Sequence, residues 1–181
     1  MKVRIDELRN KPLIYQGEEP VAGYPELVTL EAAGDIRFLA PLSVSLHVER
    51  EYDHIRAEGS CDTRIGLSCS RCLADFQEPL HSEFTLFFRK GAGEPEEEEV
   101  ELSDHDLVSL TSEGDVIDFA PCISEQVIME IPFKPLCRQE CQGLCTVCGI
   151  NLNSAECGCD RRPASISFGA LKDFTVKSKG E

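Results

Sequence analysis

The sequence predicts an α+β protein: an antiparallel β meander or small barrel packed with one or two helices, followed by a small cysteine-rich C-terminal module. Three observations carry this. Apolar residues alternate with polar ones through much of the first 90 residues. One amphipathic stretch near residue 120 has helical spacing. Six cysteines crowd into residues 137–159.

The β reading comes first along the chain. Val3 and Ile5 alternate with polar neighbours, and Leu8 follows after a slip. Val44, Leu46 and Val48 alternate with Ser43, Ser45, His47 and Glu49, the period of a half-buried strand. A short turn around Glu51, Tyr52 and Asp53 leads to Ile55, Ala57 and Gly59. Thr63, Ile65 and Leu67 read as the next strand, and Phe84, Leu86 and Phe88 as another. Closely spaced strands joined by short turns suggest an antiparallel arrangement.

Residues 91–106 break the pattern. They hold eight acidic side chains, among them Glu96, Glu97, Glu98 and Glu99, with no Lys or Arg. Such a block repels itself and stays solvated. It reads as an acidic loop, and its functional reading is a phosphate mimic that holds a basic partner.

Residues 118–131 are expected to be helical. Asp118 suits the N-cap, and Pro121 is tolerated in the first turn. Ile123, Val127 and Ile131 repeat every four residues with Ile128 beside them, and Pro132 and Pro135 end the run. That stripe should pack on the sheet. Cys122 is read as a small buried hydrophobe.

The organisation expected is therefore a β-rich domain over 1–135 with the acidic loop 91–106, a cysteine module over 136–160, and a locally basic tail over 161–181. Arg161 and Arg162 open that tail, which also holds Lys172, Lys177 and Lys179.

Composition bounds the function. The net charge is -15, so the chain as a whole is a poor binder of phosphate backbones and a better match for a basic protein. The charged start Met1-Lys2-Val3-Arg4 has no signal-peptide pattern, and no apolar run is long enough to span a bilayer. A cytoplasmic protein with no membrane partner is expected. In that reducing compartment ten cysteines point to metal or redox chemistry more than to disulfides.

The strongest chemical element is Cys145-x-x-Cys148-Gly149. Two intervening residues let both sulfurs face one ion, and the glycine permits the left-handed backbone that such a turn needs. Zinc takes four tetrahedral sulfur or nitrogen ligands. The eight residues after Cys148 can turn back to deliver Cys157 and Cys159, which makes Cys145, Cys148, Cys157 and Cys159 the favoured set. Cys141 or Cys137 could replace one of the downstream pair. Structural zinc in a zinc-ribbon-like module is the leading reading. The spacing does not match the usual ferredoxin runs, though an iron–sulfur cluster also takes four cysteines. A module so poor in apolar residues should fold together with its metal.

Cys69-Ser-Arg-Cys72 ends the strand of Ile65 and Leu67, with Cys61 eight residues earlier. Three readings stay open: a tight turn with partly buried thiols, two further metal ligands with partners elsewhere, or a redox pair. Four scattered histidines show no ligand spacing, and no glycine-rich phosphate loop is present. No small-molecule substrate is expected.

Three stretches together resemble the YceD family. They are Ile65-Gly-Leu-Ser-Cys69-Ser-Arg-Cys72-Leu73, the helix ending in Glu130-Ile131-Pro132 after an acidic segment, and Cys141-Gln-Gly143-Leu144-Cys145-Thr-Val-Cys148-Gly149-Ile-Asn151-Leu152-Asn153. The resemblance implies a role in accumulation of large-subunit ribosomal RNA, for a family linked to a small zinc-ribbon ribosomal protein of that subunit. It matches Cys69 and Cys72 to the family's inner pair, and Cys137, Cys141, Cys145, Cys148, Cys157 and Cys159 to its tail. Some members lack most tail cysteines, which implies stabilisation of the C-terminus by the module and not a shared active centre. The expected function is a non-catalytic factor of ribosome assembly that binds a basic ribosomal protein or a precursor of the large subunit. Direct contact of Arg161 and Arg162 with ribosomal RNA is the alternative, and a thiol redox protein using Cys69 and Cys72 a further one.

Overall fold

The computed structural model describes residues 1–9, 11–34, 36–52, 54–90, 109–112 and 114–161. The fold is α+β. In chain order the strands and helices are β1 (Lys2–Arg4), β2 (Leu13–Glu19), α1 (Pro25–Ala33), β3 (Ile36–Phe38), β4 (Leu42–Glu51), β5 (His54–Ser68), β6 (Asp75–Lys90), β7 (Ser109–Ser112), β8 (Val116–Asp118) and α2 (Phe119–Glu130).

The meander is β4, β5 and β6, each antiparallel to the next. β2 pairs antiparallel with β4, β3 with the end of β5, and β7 runs parallel to β6. The strand order is β2-β4-β5-β6-β7, and among the described residues no pairing closes it into a barrel. A second sheet joins β1 to β8, with Val3 opposite Ile117.

The two runs that the sequence presents as separate strands, Ile55 to Gly59 and Thr63 to Leu67, are one strand. β5 continues through Ser60 and Cys61, and its odd-numbered residues keep facing the core. Gly59 lies in that inward row because the Phe84 ring and the Leu46 side chain occupy the space. A Cβ there would meet Phe84 Cζ at 2.5 Å and Leu46 Cδ2 at 2.6 Å.

Leu42, Val44, Leu46 and Val48 of β4 line the same inner face as Ile65 of β5 and Phe84 and Phe88 of β6. α2 covers that face. Asp118 caps it by accepting a hydrogen bond from the Ala120 backbone N–H at 3.1 Å. Phe119, Ile123 and Val127 are buried, and Phe119 meets the Phe88 ring edge-to-face at 5.2 Å. Ile128, expected to flank that stripe, is exposed, because it sits one residue round the helix from Val127. Cys122 is half-buried against the core.

α1 precedes β3 and is tied to α2 by the Ser124 hydroxyl, which donates to Glu26 Oε2 at 3.0 Å. Glu19 anchors its start, accepting hydrogen bonds from the hydroxyls of Tyr15 and buried Tyr24, both at 2.6 Å. No helix among the described residues is long and apolar enough to cross a membrane.

Candidate metal centres

β5 and β6 form a hairpin whose connecting residues 69–74 make a tight knuckle. Ser68 and Asp75 are its last paired residues, and the Ser68 hydroxyl donates to Asp75 Oδ1 at 2.6 Å. Within the knuckle the Leu73 N–H donates to the Cys69 carbonyl and the Cys69 N–H to the Ala74 carbonyl, both at 2.9 Å. Leu73 takes a positive φ of 57° to turn the chain, an uncommon conformation for a branched side chain. The turn aims Cys69 and Cys72 inward together.

The chain beyond α2 returns to this knuckle. The Ser70 N–H donates to the Pro135 carbonyl at 2.8 Å, and the Arg71 guanidinium donates to the Cys141 carbonyl at 2.9 Å. Cys137 and Cys141 arrive opposite the hairpin thiols. The Cys69 and Cys141 sulfurs are 3.7 Å apart, and so are those of Cys72 and Cys137. All four sulfurs of this inner cluster lie within 4.8 Å of one another. Cys69, Cys72 and Cys141 are buried and Cys137 partly so.

A second, outer cluster follows directly. Cys145, Cys148, Cys157 and Cys159 also place their sulfurs within 4.8 Å of one another. Its knuckle is Cys145-x-x-Cys148-Gly149, in which the Gly149 N–H donates to the Cys145 carbonyl at 2.8 Å and Gly149 adopts φ 74°. Cys145 is buried and Cys148 exposed.

Distance decides what these clusters can be. A disulfide needs sulfurs about 2.0 Å apart. Four sulfurs each about 2.3 Å from one ion sit about 3.8 Å from each other in a tetrahedron. The 3.7 Å pairs match the second case, and all ten cysteines are free thiols. Either cluster could hold a metal ion, with four protein ligands each.

The electrostatics agree. Burial raises the Cys69 thiol, but hydrogen bonds from the backbone N–H groups of Cys137, Cys72 and Arg71 outweigh it and leave it at about 6. The backbone N–H groups of Cys148 and Val147 likewise hold Cys145 at about 6. One neighbour in each cluster moves strongly the other way. Burial and the adjoining thiols push Cys137 up to about 12, and its contact with Cys148, then burial, does the same for Cys159. Each cluster thus sets thiols that ionise readily, Cys69 and Cys141 in the inner and Cys145 in the outer, beside thiols that resist further negative charge. A divalent cation bound there would supply the charge that lets the remaining protons leave. Cys61 differs in kind: burial in the apolar core raises it to about 12, and no other thiol faces it within either cluster.

Residues 57–175 match the family model described as large ribosomal RNA subunit accumulation protein YceD. The chain belongs to the YceD family. The matched stretch takes in β5 from Ala57 onward, β6, α2 and both cysteine clusters. A chloroplastic protein of Zea mays, named large ribosomal RNA subunit accumulation protein YCED homolog 1, is 28% identical over 148 residues, 67% of this chain and 50% of that protein. An uncharacterised protein of Mycobacterium leprae is 28% identical over 117 residues, 65% of this chain and 52% of the relative. One of Bacillus subtilis is 26% identical over 107 residues, covering 59% and 57%. This chain spans about half the length of the curated relatives it matches. No solved structure matches it.

The structure thus gathers eight of the nine cysteines of residues 69–159 into two groups, leaving out Cys122. Cys145, Cys148, Cys157 and Cys159 stand together, while Cys137 and Cys141, weighed as substitutes in that set, stand with Cys69 and Cys72. Arg161 is exposed beyond the outer cluster. Arg162 and Glu96, Glu97, Glu98 and Glu99 lie outside the described residues. Sequence reasoning passed over Arg71 and Asn153. Asn153 Nδ2 donates to Cys141 Sγ at 3.3 Å, which with other donors lowers that thiol against the effect of burial. Asn153 Oδ1 accepts from the Gln142 N–H at 2.9 Å and from the Arg138 guanidinium at 2.7 Å.

Proposed function

We propose that this protein is a zinc-organised, non-catalytic factor that supports accumulation of large-subunit ribosomal RNA by binding a basic ribosomal protein or a precursor of the large subunit. The observation that carries the reading is the pair of four-thiol clusters in a chain of the YceD family. Zinc fits them best: it has no redox chemistry of its own, prefers tetrahedral sulfur, and is held in closed sites when its role is structural. Four sulfurs per ion leave no position for water or substrate. In this reading the metals fix the shape of the C-terminal region for docking.

Charge supports the choice of partner. A net charge of -15 repels phosphate backbones and attracts basic proteins, which ribosomal precursors offer in quantity. The block Glu96 to Glu99 supplies the densest run of that charge.

The test uses the purified, zinc-loaded chain immobilised against the salt-extracted proteins of the large subunit and, separately, against large-subunit ribosomal RNA. Retention of a basic protein is expected, lost when Glu96, Glu97, Glu98 and Glu99 become Gln. The reading fails if RNA alone is retained, with affinity falling steeply in salt and lost in R161A/R162A.

A further inference from the structure

The two clusters share one frame, and the residues that make it ligate neither. We propose that Asn153 and Arg71 are positioning residues that couple the two four-thiol centres, so that filling the inner one preorganises the outer one. This rests on reading both clusters as metal sites.

The outer knuckle is a small hairpin. Leu144 pairs with Asn151 in an isolated bridge, the Leu152 N–H donates to the Gly143 carbonyl at 2.9 Å, and the Cys145 N–H to the Ile150 carbonyl at 2.8 Å. Residues 143–144 and 151–152 are therefore its base, and both of its strands are fastened to the inner cluster.

Arg71 holds the first strand. It lies between the ligands Cys69 and Cys72, and its carbonyl accepts from the Leu144 N–H at 3.0 Å. Its N–H points at Cys69 Sγ at 3.5 Å, and its guanidinium holds the Cys141 carbonyl. Gly143 permits this approach. It adopts φ 74°, and a Cβ there would come within 3.0 Å of the Arg71 carbonyl oxygen.

Asn153 holds the second strand. Its Nδ2 reaches Cys141 Sγ, and the same amide nitrogen donates to Asn151 Oδ1 at 2.8 Å. Asn151 is the bridge partner of Leu144. One side chain thus touches a sulfur of the inner centre and the base of the outer hairpin.

The consequence is energetic. Closing the inner centre fixes residues 69–72 and 137–141, and through these bonds the base from which Cys145 and Cys148 project. The ordering entropy of that base is then already spent when the outer ion arrives. Coupling of this kind is reciprocal: each ion raises the affinity for the other by the same factor.

The test is cobalt(II) titration of the full chain under reductant, read by sulfur-to-cobalt absorption and by competition with a chromophoric chelator. C69S/C72S should weaken the outer centre by roughly tenfold, and C145S/C148S the inner centre by the same factor. The same comparison in an N153A background, a substitution that itself removes no thiol and keeps the tetrahedral absorption, should bring the factor toward one. If a double-serine variant loses its fold by circular dichroism, the wild-type titration is set against N153A alone, and the two curves should differ in affinity. The coupling is overturned if each centre binds cobalt equally well with or without the other's thiols, or if N153A titrates like the wild type. A wild-type chain that takes up no cobalt refutes the metal reading itself.

Discussion

The sheet-and-helix body and the segment from Pro132 to Arg161 are held together by different physics. The body buries a continuous apolar face, from Val44 and Leu46 through Ile65 and Phe84 to Ile123 and Val127. Residues 132–161 contain no helix and no ladder beyond one bridge, and their buried apolar-class residues are Cys141 and Cys145. Phe133, Val147 and Ile150 in the same segment face solvent. Burial can hold the first region. The second has little to bury: hydrogen bonds from Ser70 and Arg71 tie it to the β5–β6 hairpin, and in the reading proposed above the metals at its sulfurs supply the rest.

The sharpest way to break this contrast is to strip metal under reductant. Metal binding supplies about 10–16 kcal/mol in small zinc modules, well beyond what the few buried side chains of 132–161 provide. Amide exchange should become fast across 137–159 while β4 and β5 stay protected, and added zinc should restore the slow exchange. Unchanged protection across 137–159 would place the two regions under one kind of stabilisation.

The opposite perturbation belongs to the core. Phe119 is fully buried against Phe88, so Phe119→Ala should cost about 3–5 kcal/mol in denaturant unfolding and leave the metal content unchanged. A smaller effect is expected at the Asp118 cap. Asp118→Ala should cost about 1 kcal/mol, again without loss of metal.

These two regions also differed in how legible they were. Period-two alternation revealed β4 and the inward row of β5, and helical spacing with a capping aspartate revealed α2. Such signals are local, and they fail where the face is weakly apolar. β2 exposes Ile14 and carries Gly17, Glu18 and Glu19. α1 is short, yet Pro25 at its first position and Gly34 at its end, with φ 90°, mark its limits. Gly59 and Cys61 are weak strand signals, so the continuity of β5 is hidden in the sequence although both residues face the core. For the cysteines, short spacing groups Cys145 with Cys148 and suggests Cys157 and Cys159. It says nothing of sulfurs that meet across 65 and 72 positions. Only the β5–β6 hairpin, by carrying its tip to the chain beyond α2, gives Cys69 and Cys72 their neighbours.

The smallest expected effect is the pH dependence that Glu19 gives the body. Burial raises the Glu19 carboxyl, but the hydrogen bonds from Tyr15 and Tyr24 outweigh it and hold it below the usual glutamate range. A carboxyl lowered in the folded state adds stability that is complete above its unfolded value and is lost as pH falls through the folded one. Melting temperature should therefore drop more steeply with acid in the wild type than in Glu19→Gln, followed from about pH 6 to about pH 3.

The most direct measurement of the central claim is metal stoichiometry of the chain purified without added chelator, by elemental analysis and native mass spectrometry. The account predicts two zinc ions per chain, one in C145S/C148S and one in C69S/C72S. A chain with residues 137–159 fully ordered and no metal, or with iron in their place, would contradict it.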